Sequence, residues 1–242
     1  KPKSIILNYD DPILRQYAES CSNAFTYGFD KRADVKGEFL GFTEDGKSML
    51  KIEFDDFKIE TVLPVYGRAN AGNVLSAAAV GIKLGLNEKQ IRKGIEKITP
   101  IDKRLNVREF ENFAVIDDTY NANPESMLNA LEILNKMNSY PQKIAVLGDM
   151  FELGKDSPKL HRDLADIIEQ FKIDGVFLIG TEMQFLYEEL RNKNWNVRYF
   201  DSKDELSDFI SDLDVTNSAI LFKDYRGMRM EQYVKVIKNK DK

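Results

Sequence analysis

At 242 residues the chain is long enough for one large domain or two modest ones, and its net charge of −5 argues against a nucleic-acid-binding surface, which would be basic. Hydrophobic residues at 43% and charged residues at 31% allow real cores under a well-solvated surface, while no apolar run of about 18 residues and no signal peptide point to a membrane span or export. The single cysteine, Cys21, excludes an intrachain disulfide, fits a reducing compartment, and cannot build a metal cluster with the lone His161. Lys1-Pro2-Lys3 runs without an initiator Met into a strand over 4–8, the look of a piece of a longer protein. The Tyr9-Asp10-Asp11-Pro12 turn then opens a short helix to about residue 20. Strands are predicted over 24–29, 37–43, 48–54 and 57–63, with a tight turn at Asp55-Asp56 making a hairpin of the last two. Residues 64–73 lead into an Ala-rich helix over 74–84 that is apolar on nearly every side and so expected to be buried. Asn87 caps a helix over 88–98, which Thr99-Pro100 breaks, and the domain boundary is placed between 100 and 105. Beyond Arg104 the rhythm changes. Strands over 105–110, 113–116, 143–147, 175–179, 196–199 and 219–222 alternate with helices over 124–137, 157–171, 183–192, 203–213 and 229–238. That alternation predicts a Rossmann-like α/β domain with a mostly parallel sheet. The lysine-rich tail, 235–242, reads as a frayed end rather than a binding site.

Four stretches gather polar side chains where a strand gives way to a helix or a helix begins. After the apolar run at 113–116, Asp117, Asp118, Thr119, Tyr120, Asn121 and Asn123 fill a polar turn. Asn123 is a good N-cap and Pro124 a good first residue for a helix carrying Met127, Leu128, Leu131 and Leu134 on its apolar face. Ligands of open α/β sheets collect at such carboxyl ends of strands. By composition alone, however, the turn is equally an Asx-rich helix cap. Asn70 and Asn73, in Gly67-Arg-Ala-Asn-Ala-Gly-Asn73, offer amides that suit a neutral heterocycle, or simply cap a helix. The loop Gly148-Asp149-Met-Phe-Glu152-Leu-Gly154 is acidic enough to hold an ammonium group. Lys223 and Arg226, beside the start of the last helix, suit a carboxylate, or are a solvated pair.

Asp117-Asp118-Thr119-Tyr120-Asn121-Ala122-Asn123-Pro124 resembles the D-D-[ST]-Y-N-A-N-P signature of the Mur ligases. Further matches follow the family's order. Asn8-Tyr-Asp-Asp-Pro12 is similar to N-A-D-D-P, and Gly67 to Asn73 is similar to G-R-H-N-x-x-N with Ala69 in the place of the histidine. Arg104 matches the arginine of the inter-domain linker, preceded by Lys103 where glycine is usual. Gly148 to Gly154 resembles G-D-M-x-E-L-G, and Lys223 to Glu231 resembles K-G-S-R-G-M-x-M-E with Asp224-Tyr225 replacing Gly-Ser.

The resemblance implies a partial central ATP-binding domain over 1–103, made of strands plus two helices, then a Rossmann-like C-terminal domain over 104–242. It implies an ATP-dependent amide ligase of peptidoglycan synthesis, cytoplasmic and monomeric, that joins D-alanyl-D-alanine to UDP-N-acetylmuramoyl-tripeptide through an acyl phosphate. Asn70 and Asn73 would contact adenine, Asp118 the ribose, and Arg104 the γ-phosphate. Tyr120 and Asn121 would flank the nucleotide. Asn123, Asp149, Glu152, Lys223 and Arg226 would bind the peptide substrates. Asp117 and His161 read as structural. No G-x-x-x-x-G-K-[ST] occurs in the chain. The family carries that loop and its Mg²⁺ groups upstream, so no metal ligand is expected here and the chain alone is expected to be inactive. Two other readings stay open: a sister ligase with a different amino-acid acceptor, and a non-catalytic nucleotide-binding module.

Overall fold

The computed structural model describes residues 4–193 and 195–241; Lys1-Pro2-Lys3 and Lys242, the last residue of the lysine-rich tail, lie outside them. The chain divides into two units, Lys1–Thr99 and Pro100–Lys242.

In the first unit the elements run β1 (Ile5–Asn8), α1 (Pro12–Glu19), β2 (Ala24–Gly28), β3 (Val35–Phe42), β4 (Ser48–Phe54), β5 (Phe57–Val62), α2 (Arg68–Lys83) and α3 (Glu88–Glu96). The five strands form one sheet in chain order, parallel from β1 to β3 and antiparallel from β3 to β5. Phe54 pairs with Phe57 across the Asp55-Asp56 turn, so the hairpin forms where it was expected. The Asp-Asp-Pro turn divides its labour. Asp11 caps α1 by accepting the Ile13 and Leu14 N–H groups at 2.8 and 2.9 Å, while Asp10 accepts those of Phe29 and Asp30 at 2.8 and 2.9 Å. Asn87 and Gln90 form a capping box at the start of α3.

Helix α2 differs from its expectation in two ways. It starts at Arg68, not near residue 74, and only one face is buried: Ala71, Val74, Leu75, Ala78 and Ala79 pack on β2, β3 and β4, while Val80 is 41% exposed. Its core partners include Phe25, Val35, Leu50, Ile52 and Ile59. Strand β1 buries only Leu7.

The second unit runs β6 (Asn106–Glu109), β7 (Phe113–Asp118), α4 (Pro124–Lys136), β8 (Gln142–Gly148), α5 (Ser157–Gln170), β9 (Gly175–Ile179), α6 (Met183–Asn192), β10 (Val197–Phe200), α7 (Lys203–Asp212), β11 (Ser218–Lys223) and α8 (Glu231–Lys238). Its sheet has the order β10-β9-β8-β11-β7-β6, parallel throughout except for β6, which is antiparallel to β7. Helices α4, α5 and α6 pack on one another, and α7 packs on α8. The α7–α8 layer shares one core with alternate residues of the strands, among them Val115, Val146, Phe177, Ile220 and Phe222. Strands covered on both faces need no polar face, and every residue of β7 and β11 is buried.

Two boundaries matter below. Strand β7 runs two residues past its apolar run, so Asp117 and Asp118 belong to the strand and the polar turn is Thr119 to Asn123. At the other end of the unit, α8 starts at Glu231, not Arg229; Arg226–Met228 form a single 3-10 turn and Arg229 takes a left-handed conformation at φ 61°. The tail is not frayed through Asp241. Helix α8 continues to Lys238, a 3-10 turn covers Asn239–Asp241, and Lys240 Nζ donates to the Leu213 carbonyl at 2.6 Å.

Candidate functional site

Strands β7, β8, β9 and β11 all end at one edge of the second sheet. After β7 and β8 the chain turns into the α4–α6 layer, whereas after β11 it turns into the α7–α8 layer. Strand β11 therefore has a neighbour on each side whose connection leaves in the opposite direction. Those are the crevices in which open α/β sheets bind ligands.

The β7/β11 crevice is cationic. Lys223 lies beside Asp118 in the strand register, and its Nζ forms an ion pair with Asp118 Oδ2 and donates to the Asn121 carbonyl at 3.0 Å. Asp118 Oδ1 accepts the Leu105 N–H at 3.0 Å. Because β6 is antiparallel to β7, Asn106 pairs with Asp117, which brings the linker carrying Arg104 to the carboxyl end of β7. Lys103 and Leu105 both take left-handed backbone, at φ 62° and 47°, and Lys103 Nζ bonds Glu231 at 2.9 Å. Between these anchors the Arg104 guanidinium lies 4.0 Å from the centroid of the Tyr120 ring. Arg104, and then Arg226, beside the Tyr120 hydroxyl hold the phenol below the usual tyrosine pKa. All three side chains are exposed.

The β8/β11 crevice is lined differently. The Tyr225 hydroxyl donates to Glu152 Oε1 at 3.2 Å, and its ring meets Phe151 edge-on with centroids 5.0 Å apart. Beneath them are two buried acids. Asp149 accepts the Met183 N–H at 2.9 Å, at the start of α6, and burial pushes its carboxyl pKa up. Gly180, at φ 119°, makes room for it, since a Cβ there would stand 2.3 Å from Asp149 Oδ1. Asp224 is fully buried; Oδ2 accepts the Met230 N–H at 3.2 Å, Oδ1 has no partner, and burial pushes the pKa up to about 7. His161 is also fully buried. Its Nε2 accepts the Met150 N–H at 3.1 Å, so the proton is on Nδ1 and is donated to the Ser157 carbonyl at 2.8 Å. It holds the acidic loop, as expected of a structural histidine.

In the first unit Asn70 and Asn73 lie on the opening turns of α2 rather than in a loop before it. Asn70 Nδ2 donates to the Tyr66 carbonyl at 2.8 Å, and Asn73 Nδ2 approaches Asn70 Oδ1 at 3.4 Å. The two amides face each other one turn apart.

With this geometry in place the chain can be compared with known proteins. Residues 1–81 match the Mur ligase middle domain, and residues 103–223 match the Mur ligase glutamate ligase domain. The chain belongs to the Mur ligase family. The UDP-N-acetylmuramoyl-tripeptide--D-alanyl-D-alanine ligase of Bacillus subtilis is 30% identical over 240 residues, 97% of this chain and 51% of that protein. The ligase of the same name from Haemophilus influenzae is 28% identical over 98% of this chain and 51% of its own length. A crystal structure of MurF from Acinetobacter baumannii matches with a TM-score of 0.85 at 26% identity, covering 97% of this chain and 52% of that one. The MurF ligase of Thermotoga maritima, solved in complex with ADP, shares the fold with a TM-score of 0.79 at 22% identity, over 100% of this chain and 55% of its own. This Mur ligase chain thus spans about half the length of the curated relatives it matches.

The residues picked out from the Mur ligase motifs sort into three groups. Arg104, Tyr120 and Arg226 come together at an exposed surface, and Asn121 and Glu152 are exposed near them on the loops described. Asn123 is exposed, but its side chain caps α4 by accepting the Ser126 N–H at 2.8 Å. Asp149 and Lys223, expected to bind the peptide substrates, and Asp118, expected at the ribose, are all buried: Asp149 is bonded to α6, and Lys223 and Asp118 are paired with each other. Asp117 is structural as expected, accepting the Thr119 hydroxyl at 2.7 Å. The Tyr225–Phe151 contact and the raised pKa of buried Asp224 are not legible in the motif. Strand parity carries the signal for Asp224: once β11 reaches Lys223, the next residue must point to the other face.

Proposed function

We propose that the protein containing this chain is an ATP-dependent amide ligase that adds D-alanyl-D-alanine to UDP-N-acetylmuramoyl-tripeptide through an acyl phosphate, in cytoplasmic peptidoglycan synthesis. Residues 1–103 would form the later part of its central ATP-binding domain and 104–242 its C-terminal domain. The observation that carries the reading is the exposed Arg104–Tyr120–Arg226 group at the carboxyl ends of β7 and β11. Acyl-phosphate chemistry builds negative charge at phosphate and carboxylate oxygens, and guanidinium groups meet such oxygens with paired donors. ATP is the nucleotide this family chemistry uses, and ADP is what the Thermotoga maritima relative holds.

In this reading Arg104 meets the γ-phosphate, Asn70 and Asn73 bind the adenine through donor–acceptor pairs, and Asp118 binds the ribose. Tyr120 and Asn121 border the nucleotide. Arg226 takes the dipeptide carboxylate, and Glu152 takes its ammonium group. Among the described residues no group of three His, Cys, Asp or Glu side chains could hold a metal ion, and Mg²⁺ would be held by groups outside this chain. No helix among them is long and apolar enough to cross a membrane.

The test is phosphate release from ATP by the full-length protein given UDP-N-acetylmuramoyl-tripeptide, with and without D-alanyl-D-alanine. Release that depends on the dipeptide is the expected result; release indifferent to it would sink the reading. The Tyr225–Glu152 bridge favours one second reading, a sister ligase with another acceptor, because it narrows the β8/β11 crevice where the family motif has Gly-Ser. Single amino acids replacing D-alanyl-D-alanine in the same assay separate the two.

A further inference from the structure

Lys223 is the least expected of the charged groups. Its side chain is 1% exposed, and the Asp118 side chain paired with it is 10% exposed. A lysine so placed cannot reach a solvent-borne carboxylate without breaking its pair and leaving Asp118 uncompensated. Its two contacts lead instead to both halves of the exposed cluster. Through Asp118, whose other oxygen accepts the Leu105 N–H at 3.0 Å, it holds the linker residue that follows Arg104. Through the Asn121 carbonyl, at 3.0 Å, it holds the residue that follows Tyr120.

We propose that Lys223 is a positioning residue: its ammonium ties Asp118 and Asn121 together, and so fixes the Arg104 guanidinium against the Tyr120 ring without touching either substrate. The inference deepens the proposed ligase reading and rests on it for its kinetic part. The left-handed backbone at Lys103 and Leu105 explains why such a tie is needed. Non-glycine residues on both sides of Arg104 hold an uncommon conformation, and it persists only where surrounding contacts impose it. Lys103 Nζ on Glu231 anchors one side, and the Lys223–Asp118 pair anchors the other.

The experiment uses the full-length protein with Lys223→Gln, Arg104→Ala and the double variant. Loss of the tie should lower kcat about tenfold and leave the KM for D-alanyl-D-alanine within about twofold of wild type. The double variant should be no slower than Arg104→Ala alone, since both changes remove the same interaction. A KM for the dipeptide that rises about tenfold with kcat unchanged would make Lys223 a substrate ligand and overturn the proposal, as would additive losses in the double variant. A second readout needs no turnover. Hydrogen exchange at the Leu105 amide should accelerate about tenfold in Lys223→Gln; unchanged exchange also overturns the proposal. Should the glutamine variant fail to fold, Lys223→Arg keeps the charge but not the shape, and the same lowered kcat with unchanged KM is expected. If the wild type shows no acceptor-dependent turnover, the ligase reading fails by itself, and the Leu105 exchange still decides the structural tie.

Discussion

Lys223 and Asp224 are consecutive, equally buried and oppositely treated. Lys223 ends β11 on the α4 side, where Asp118 answers its charge; Asp224 turns to the α8 side, where one oxygen has no partner and Asp117 and Glu231 are the nearby acids. One buried charge is kept by pairing it, and the other is disfavoured by burial, which holds the proton up to about pH 7. The two crevices beside β11 inherit that difference. The β7/β11 side presents an exposed set of cations, while the β8/β11 side presents an aromatic bridge over buried acids whose pKa values burial raises.

The largest expected effect comes from breaking the pair. Lys223→Met should destabilise the protein by about 3–5 kcal/mol, because it strands Asp118 as a buried charge, and thermal or urea unfolding would read the loss. Replacing Asp224 tests the opposite treatment. Its folded pKa of about 7 lies above the ordinary carboxylate value, so the folded state holds the proton more tightly than the unfolded chain. Stability from this group is full below about pH 4 and is lost as pH rises through 7, a change of roughly 2–4 kcal/mol. Asp224→Asn should flatten that slope between pH 5 and 8 in urea titrations; an unchanged slope would mean that Asp224 is not its source. Gly180→Ala should cost about 2 kcal/mol, from the strained φ of 119° and the 2.3 Å approach to Asp149, measured by the same unfolding. Smallest is Tyr225→Phe, which removes one exposed hydrogen bond to Glu152 and should change stability by less than about 1 kcal/mol.

Much of this arrangement could be read from the residues in advance, and the failures have common causes. Strands β4 and β9 and helix α6 have their predicted limits because apolar periodicity and flanking turn residues agree there. Strand β7 runs past its apolar run because Asp117 and Asp118, which read as turn residues, continue the strand. The Thr119 hydroxyl on Asp117, and the Leu105 N–H and Lys223 on Asp118, make them acceptable within a strand. Helix α2 starts before its apolar pattern for a related reason: Arg68, Ala69 and Asn70 show no apolar period, yet Asn70 bonds back to the Tyr66 carbonyl and joins the first turn. The motif residues of the second unit gather at the carboxyl edge of its sheet. What they could not supply was side-chain direction. Lys223 and Arg226 are both basic and three residues apart, but one is sealed under Asn121 and the other is exposed.

The central claim is that Arg104, exposed at the β7/β11 crevice, acts on the phosphate, separately from Arg226 and the acceptor loop beyond β11. The direct measurement is acceptor-dependent phosphate release by full-length wild type and Arg104→Ala, titrated with D-alanyl-D-alanine. The account predicts that Arg104→Ala lowers kcat by roughly 100-fold with the dipeptide KM unchanged. An unaltered kcat, or a loss confined to the dipeptide KM, would contradict it.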